Sequence, residues 1–304
     1  MTEAFSHDSV MTLETLEWLK PQPGKLYADA TLGAGGHTAA ILDASAPDGR
    51  VVAVDRDLRA VEHAQHKLAA YGDRVHVLHG EFRYLPELLH TAGYALVDGI
   101  VADLGVSSPQ LDDATRGFAF SQDGPLDMRM DDSRGETALS LIGRLSEAEL
   151  ADVLYQFGEE RRSRAIARSI RASLAAGELH STGDLRRAVV KAIGRPPGSK
   201  SDPATRTFQA LRIAVNEELD QLETLVGCLA ELLADDAVAV LISFHSLEDR
   251  MVKHALRGDA RLRVLTKRPI VANAEEQARN RRARSAKLRA AARCSRTLDT
   301  EVQS

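Results

Sequence analysis

Only two cysteines occur in the 304-residue chain, Cys228 and Cys294, far apart and outside any C-x-x-C spacing. A disulfide framework and a thiolate zinc centre are therefore excluded, no metal site is expected, and a reducing cytoplasm is the expected compartment. Long apolar runs are missing too. No segment approaches the roughly 20 consecutive apolar residues of a membrane span, so no membrane partner is expected. The stretch from Met1 to Lys20 carries Glu3, Asp8, Glu14 and Glu17 without an unbroken apolar run; it is expected to be neither a signal peptide nor an anchor. Internal repeats and low-complexity tracts are absent. What remains is an ordinary globular composition, 44% hydrophobic and 27% charged, sufficient for one large core or two smaller ones.

The net charge of −5 conceals an uneven distribution. From Arg250 to Arg296 there are 15 Lys and Arg against Asp259, Glu275 and Glu276, a local balance of +12 that leaves −17 for the rest of the chain. Such asymmetry points to a basic face able to track phosphates on an otherwise acidic molecule. A solvated helical face is the plainer alternative.

Short β-branched runs at Leu26 to Asp29, Val51 to Asp55, Val75 to Leu78 and Gly99 to Asp103 predict four buried strands. Between the second and third, Leu58, Val61, Ala64, Leu68 and Ala69 fall near helical spacing, with Asp57 placed to cap the helix and Gly72 to end it. His37 to Asp43 and Leu85 to His90 supply shorter helices. Strand, helix, strand implies an α/β fold with a doubly wound, mostly parallel sheet. After Asp103 the texture becomes helical, with candidates at Ser146 to Phe157 and Glu159 to Ala175. Gly194-Arg-Pro-Pro-Gly198 breaks the chain, and one long amphipathic pattern resumes from Pro203 to Leu225. Ala237 to Ile242 reads as a returning strand. The expected organisation is an all-helical domain, 111–216, inserted between two parts, 1–110 and 217–304, of one α/β domain. The ends, Met1 to His7 and Thr297 to Ser304, are expected to be loose.

Ligands of open parallel sheets bind beyond the C-terminal strand ends, and these ends are chemically distinctive. The first runs into Asp29-Ala-Thr-Leu-Gly33-Ala-Gly35-Gly36-His37-Thr38, where glycines allow close backbone approach and helix-start amides can meet a carboxylate; a plain tight turn is the alternative. Asp55, 22 residues beyond Gly33, can accept the hydroxyl hydrogens of a ribose, which suits S-adenosylmethionine or a dinucleotide. Thr38 stands where a dinucleotide loop would need Gly or Ala, which weakens the second option. A helix-capping acid at Asp55 is the other reading, but it leaves the preceding glycine turn unexplained. Phe82 offers an apolar face to an adenine or simply packs in the core. The fourth end gives Asp103-Leu-Gly-Val-Ser107-Ser108-Pro109-Gln110-Leu-Asp112.

Together with Arg116-Gly-Phe-Ala-Phe120, Gly124-Pro-Leu-Asp-Met-Arg-Met-Asp131, Pro203-Ala-Thr-Arg-Thr-Phe-Gln-Ala-Leu-Arg212 and Ser243-Phe-His-Ser-Leu-Glu-Asp-Arg250, these segments resemble the bacterial RsmH (MraW) family of ribosomal RNA small-subunit methyltransferases, from about His7 to Arg293. The resemblance implies a class I, Rossmann-like methyltransferase fold. It also implies transfer of a methyl group from S-adenosylmethionine to the exocyclic N4 of a cytidine in the decoding region of 16S ribosomal RNA, with the small ribosomal subunit as partner. By position it assigns the cofactor to Gly35, Gly36, His37, Asp55, Phe82, Asp103 and Gln110, to which the turn adds Gly33. Asp202 replaces a His, Arg281 replaces a Pro, and the segment between Arg257 and Lys267 is shorter than in many members.

A cytosine amine is planar, so its hydrogens must be held while nitrogen becomes pyramidal. Acceptors on the loop of Ser107, Ser108, Pro109 and Gln110 are candidates, and Asp103 either polarises the amine or binds the cofactor's amino group. This loop lacks the aromatic that stacks the base in many exocyclic-amine methylases; Phe118, Phe120 or Phe244 would have to supply it from elsewhere. His245 is a candidate base or RNA contact, with a structural histidine as the alternative. Arg161, Arg162 and Arg164, with Arg168 and Arg171, form one expected RNA-binding stripe, and Arg282, Arg284 and Lys287 belong to a second. The chain could also work as a homodimer. A nicotinamide-dependent oxidoreductase and a non-catalytic RNA-binding protein are the rival classes.

Overall fold

The computed structural model describes residues 9–195 and 202–295. Seven strands form one sheet: β1 (Leu26–Asp29), β2 (Arg50–Asp55), β3 (Val75–His79), β4 (Val97–Asp103), β5 (Leu233–Ser243), β6 (Leu262–Val264) and β7 (Lys287–Arg293), in the order β3-β2-β1-β4-β5-β7-β6. Neighbours among β1 to β5 run parallel, whereas β7 is antiparallel to both β5 and β6. Strands with two buried faces must be apolar at every position. Val52, Val54, Ile100, Ala102 and Leu241 pack on one side with Leu85, Leu89, Leu225 and Leu229. Val51, Ala53, Val101, Val240 and Ile242 pack on the other with Ile41, Leu42, Ala64 and Leu68. Helices therefore cover both faces, as in a doubly wound Rossmann-like sheet.

The chain divides into two compact units, one formed by Val106–Glu218 and the other by the sheet residues up to Gly105 and from Leu219 onward. Within the first, helices Ala138–Arg144, Glu147–Gly158, Ser163–Ala175, Thr182–Ile193 and Thr205–Asn216 enclose a core that includes Leu150, Leu154, Ile166, Ile170, Leu185 and Leu211. Ser146 starts the second of these through a capping box with Glu149. Glu159 adopts the left-handed region at φ 50° and ends that helix, so the next begins at Ser163 rather than at the predicted Glu159.

Two further expectations need correction. The amphipathic pattern read as continuous from Pro203 to Leu225 is broken at Glu217, whose φ of 49° separates Thr205–Asn216 from Glu218–Leu232. The basic tract read as a phosphate-tracking face contains β6 and β7. Arg289 and Arg293 are only 6% and 7% exposed, and Arg289 Nε lies 2.7 Å from Asp249 Oδ1. Part of the positive charge is thus inside the fold, paired rather than presented. Among the described residues no helix is long and apolar enough to cross a membrane. The terminal segments expected to be loose, Arg296 and most of the Gly194 to Gly198 break lie outside the described residues.

Candidate active site

Three adjacent strands, β2, β1 and β4, end in aspartates, and each has a distinct environment. Asp29 is fully buried; its Oδ1 accepts from the Thr31 amide at 3.1 Å and its Oδ2 from the Thr38 hydroxyl at 2.7 Å. It therefore ties the chain leaving β1 to the helix Gly36–Ala44 that follows. Burial pushes its carboxyl above the usual range, against the charge of His37 and these hydrogen bonds. Replacing Asp29 with Ala strands two buried donors and is expected to lower stability by about 2 to 3 kcal/mol; a denaturant titration showing no loss would contradict this bracing role.

Asp55 holds the same turn from β2. Its Oδ2 accepts from the Gly33 amide at 2.7 Å and its Oδ1 from the Asp57 amide at 2.8 Å. Each oxygen keeps a further lone pair, so the carboxylate can still accept two hydroxyl hydrogens. Desolvation raises its pKa to about 6. Gly35, at φ 74°, is the left-handed residue that opens the helix. Gly36 has a different reason: a Cβ there would meet Ser9 Oγ at 2.0 Å, so the position is closed by packing against the N-terminal segment.

Asp103 ends β4, its amide donating to Thr31 Oγ1 at 2.6 Å. Its carboxylate is only 11% exposed, and Oδ1 has no hydrogen-bond partner among the described residues. Oδ2 lies 3.9 Å from His37 Nε2 and 3.5 Å from the Arg282 guanidinium. His37 is 4% exposed, and neither ring nitrogen has a hydrogen-bond partner among the described residues. Buried polar atoms are almost always bonded. The exceptions here sit beside the glycine turn and fit a ligand that offers an ammonium group to Asp103, a polar acceptor or donor to His37 and sugar hydroxyls to Asp55.

A sequence model described as the MraW methylase family matches residues 4–294. The chain belongs to the MraW methylase family. It is 56% identical over 287 residues to a protein of Sorangium cellulosum named ribosomal RNA small subunit methyltransferase H, with 94% of this chain and 90% of that protein covered. A protein of the same name from Geotalea uraniireducens is 44% identical, with 94% and 98% covered. Among solved structures, a SAM-dependent O-methyltransferase of Thermotoga maritima aligns over 96% of this chain and 68% of its own at 10% identity, with a TM-score of 0.42.

Gly33, Gly35, His37, Asp55 and Asp103 thus lie at one edge of the sheet, at or just beyond the ends of β1, β2 and β4. Phe82 sits in a short turn after β3 and packs partly buried against the core on that face. Ser107, Ser108, Pro109 and Gln110 belong to the helical unit, where the Ser107 amide donates to Gln110 Oε1 at 2.9 Å and starts the helix Ser108–Asp112. Phe118 is in the core of that unit, and Phe120 packs edge-on against Phe208 with ring centroids 5.0 Å apart. Only Phe244 of the three aromatic candidates belongs to the sheet unit.

His245 caps the helix Ser246–Gly258, its Nδ1 accepting from the Glu248 amide at 3.4 Å and its Nε2 lying 3.1 Å from Glu248 Oε1, with the side chain 8% exposed. Arg162 donates to the carbonyls of Ile193 and Ala192, and Arg171 to those of Ile142 and Gly143, so both close helix ends. Arg161 and Arg164 are exposed. Arg284 is exposed and donates to the Gln277 carbonyl, and Lys287 pairs with Asp249 at 3.3 Å. Sequence reasoning missed Asp29 and Thr31 as braces and the approach of Arg282 to Asp103. The first two stand inside the quoted glycine motif; the third has no local signal, because 179 positions separate the partners.

Proposed function

We propose that this protein is an S-adenosylmethionine-dependent methyltransferase that modifies the exocyclic N4 of a cytidine in the decoding region of 16S ribosomal RNA, acting on small ribosomal subunits in the cytoplasm. The observation that carries the reading is Asp103, a buried carboxylate with one oxygen lacking a donor, next to a glycine turn braced by Asp29 and Asp55. Membership of the MraW methylases and the shared name of the curated relatives support the substrate.

When bound, S-adenosylmethionine supplies an electrophilic methyl group on a sulfonium sulfur. Asp55 accepts the ribose hydroxyls, Asp103 takes the ammonium, and the braced turn from Gly33 to His37 receives the amino-acid carboxylate. Held so, the group would supply its methyl to the cytidine N4 with loss of a neutral thioether, and N4 would release one proton to solvent. Holding the reactants in line provides most of the rate.

Incubating small subunits that lack the modification with labelled S-adenosylmethionine, then mapping the label, tests the assignment; label at a cytidine N4 of 16S RNA is expected, and label confined to protein would overturn it. Binding to the subunit is expected to weaken by about tenfold between roughly 50 and 200 mM salt, because basic side chains release counterions from phosphates. An affinity independent of salt would contradict a phosphate-tracking surface.

A further inference from the structure

Arg282 stands on the short turn Arg281–Arg284, whose start is capped by Asn280 Oδ1 accepting from the Arg282 amide at 3.0 Å. Its guanidinium lies over the Phe244 ring, 4.7 Å from the centroid, and 3.5 Å from Asp103 Oδ2. At 3.5 Å the contact with Asp103 is electrostatic rather than a well-formed hydrogen bond. One side chain therefore touches both a carboxylate suited to an ammonium and an aromatic ring.

We infer that Arg282 is an exchangeable occupant of the site, displaced from Asp103 by the ammonium of the cofactor and from Phe244 by the target cytosine, and that it then holds an RNA phosphate. This rests on the proposed function and adds to it a residue that couples the two substrates. An ammonium arriving at Asp103 Oδ1, which has no donor, places a second cation on one carboxylate. In a site this buried the two cations repel, and the hold on Arg282 weakens.

The released guanidinium has a destination. Arg281 and Arg284 are exposed on the same turn, so Arg282 joins them on a basic cluster suited to a phosphodiester, where its planar fork gives two parallel hydrogen bonds. Phe244 is anchored through its main chain independently of Arg282, its backbone amide donating to Glu248 Oε2 at 2.7 Å. Its uncovered face then offers the π surface an unstacked base needs. Cofactor binding thereby favours RNA binding, and by linkage RNA favours the cofactor to the same degree.

The test uses S-adenosylhomocysteine, which carries the same ammonium but has no methyl group to transfer. Titrated calorimetrically without RNA, Arg282→Ala and the neutral but polar Arg282→Gln are expected to bind it at least about fivefold more tightly than wild type, whereas Arg282→Lys, which keeps the cation, stays near wild type. Binding to unmodified small subunits is expected to strengthen with S-adenosylhomocysteine in wild type and to lose that gain in both neutral variants. Phe244→Leu is expected to weaken subunit binding. Equal or weaker S-adenosylhomocysteine binding by a folded neutral variant, or a persisting gain in subunit affinity, would overturn the exchange. Wild-type protein that binds no S-adenosylhomocysteine at all would instead strike the cofactor assignment itself.

Discussion

Asp55→Ala is expected to weaken S-adenosylmethionine binding by about 100-fold, read as Kd by calorimetry, because two charge-assisted hydrogen bonds to sugar hydroxyls disappear at about 1.5 kcal/mol or more each. The loss has a second source. Asp55 also accepts from the amides of Gly33 and Asp57, so its removal loosens the turn that receives the rest of the ligand. Asp55→Asn separates the two contributions: one amide oxygen preserves part of the bracing, while the NH2 group cannot accept hydroxyl hydrogens. A Kd within about threefold of wild type in both variants would remove Asp55 from the binding site.

The same carboxyl sets a pH dependence. Burial raises it to about 6 in the ligand-free protein, from an ordinary value of 3.8. Its contribution to ligand-free stability is therefore greatest below the ordinary value and is lost as pH rises through about 6. Binding runs the other way, since ribose hydroxyls donate to the ionised form and lower the pKa in the complex. Affinity is expected to be flat above about pH 6 and to fall by up to about tenfold per unit below it, with proton release on binding in that range. Asp55→Asn is expected to lack this component, and a wild-type affinity unchanged between pH 7 and about pH 5 would refute it.

Asp103→Ala is expected to raise the S-adenosylmethionine Kd by about 10- to 100-fold, the cost of losing a charge-assisted hydrogen bond to the ammonium. With cofactor at saturation, methyl transfer to small subunits is expected to stay within about tenfold of wild type, as the proposed binding role of Asp103 requires. The two measurements must be made separately. Unchanged affinity with a large loss of transfer would move Asp103 from holding the cofactor to acting on the cytidine amine.

Much of this site is legible before folding because class I architecture converts strand order into position. Every parallel strand delivers its last residue to the same edge, so Asp29, Asp55 and Asp103 could be selected from hydrophobic runs and the residues that end them. The glycine turn was equally readable, since Gly35 requires a left-handed backbone that few other residues adopt. Gly36 was readable as a glycine but not for its reason, which is the distant Ser9. His245 shows the opposite limit: a lone histidine after a strand carries no sign of whether it faces a ligand or caps a helix, and the answer lay in Glu248.

Charge was the least reliable guide. The run from Arg250 to Arg296 looked like one basic surface, yet Arg289 is buried against Asp249 and Lys287 pairs with the same acid. Local sequence reports how many charges exist, whereas their effect depends on partners and solvent exposure, which only packing specifies.

By itself, then, the sequence indicated β1 to β4 and the returning strand β5, the three acids at the strand ends and the family, because these depend on periodicity, spacing and motif, whereas β6, β7 and the order of strands in the sheet came only with the fold. Tertiary structure alone decided that Asp29 and Thr31 brace the turn, that Asp103 Oδ1 and the ring nitrogens of His37 have no hydrogen-bond partner among the described residues, and that Arg282 bridges Asp103 and Phe244. The physical reason is range. Hydrophobic patterning and glycine conformation act over a few residues, while burial and charge pairing depend on side chains that only folding brings together, as with Arg282 and Asp103, 179 positions apart.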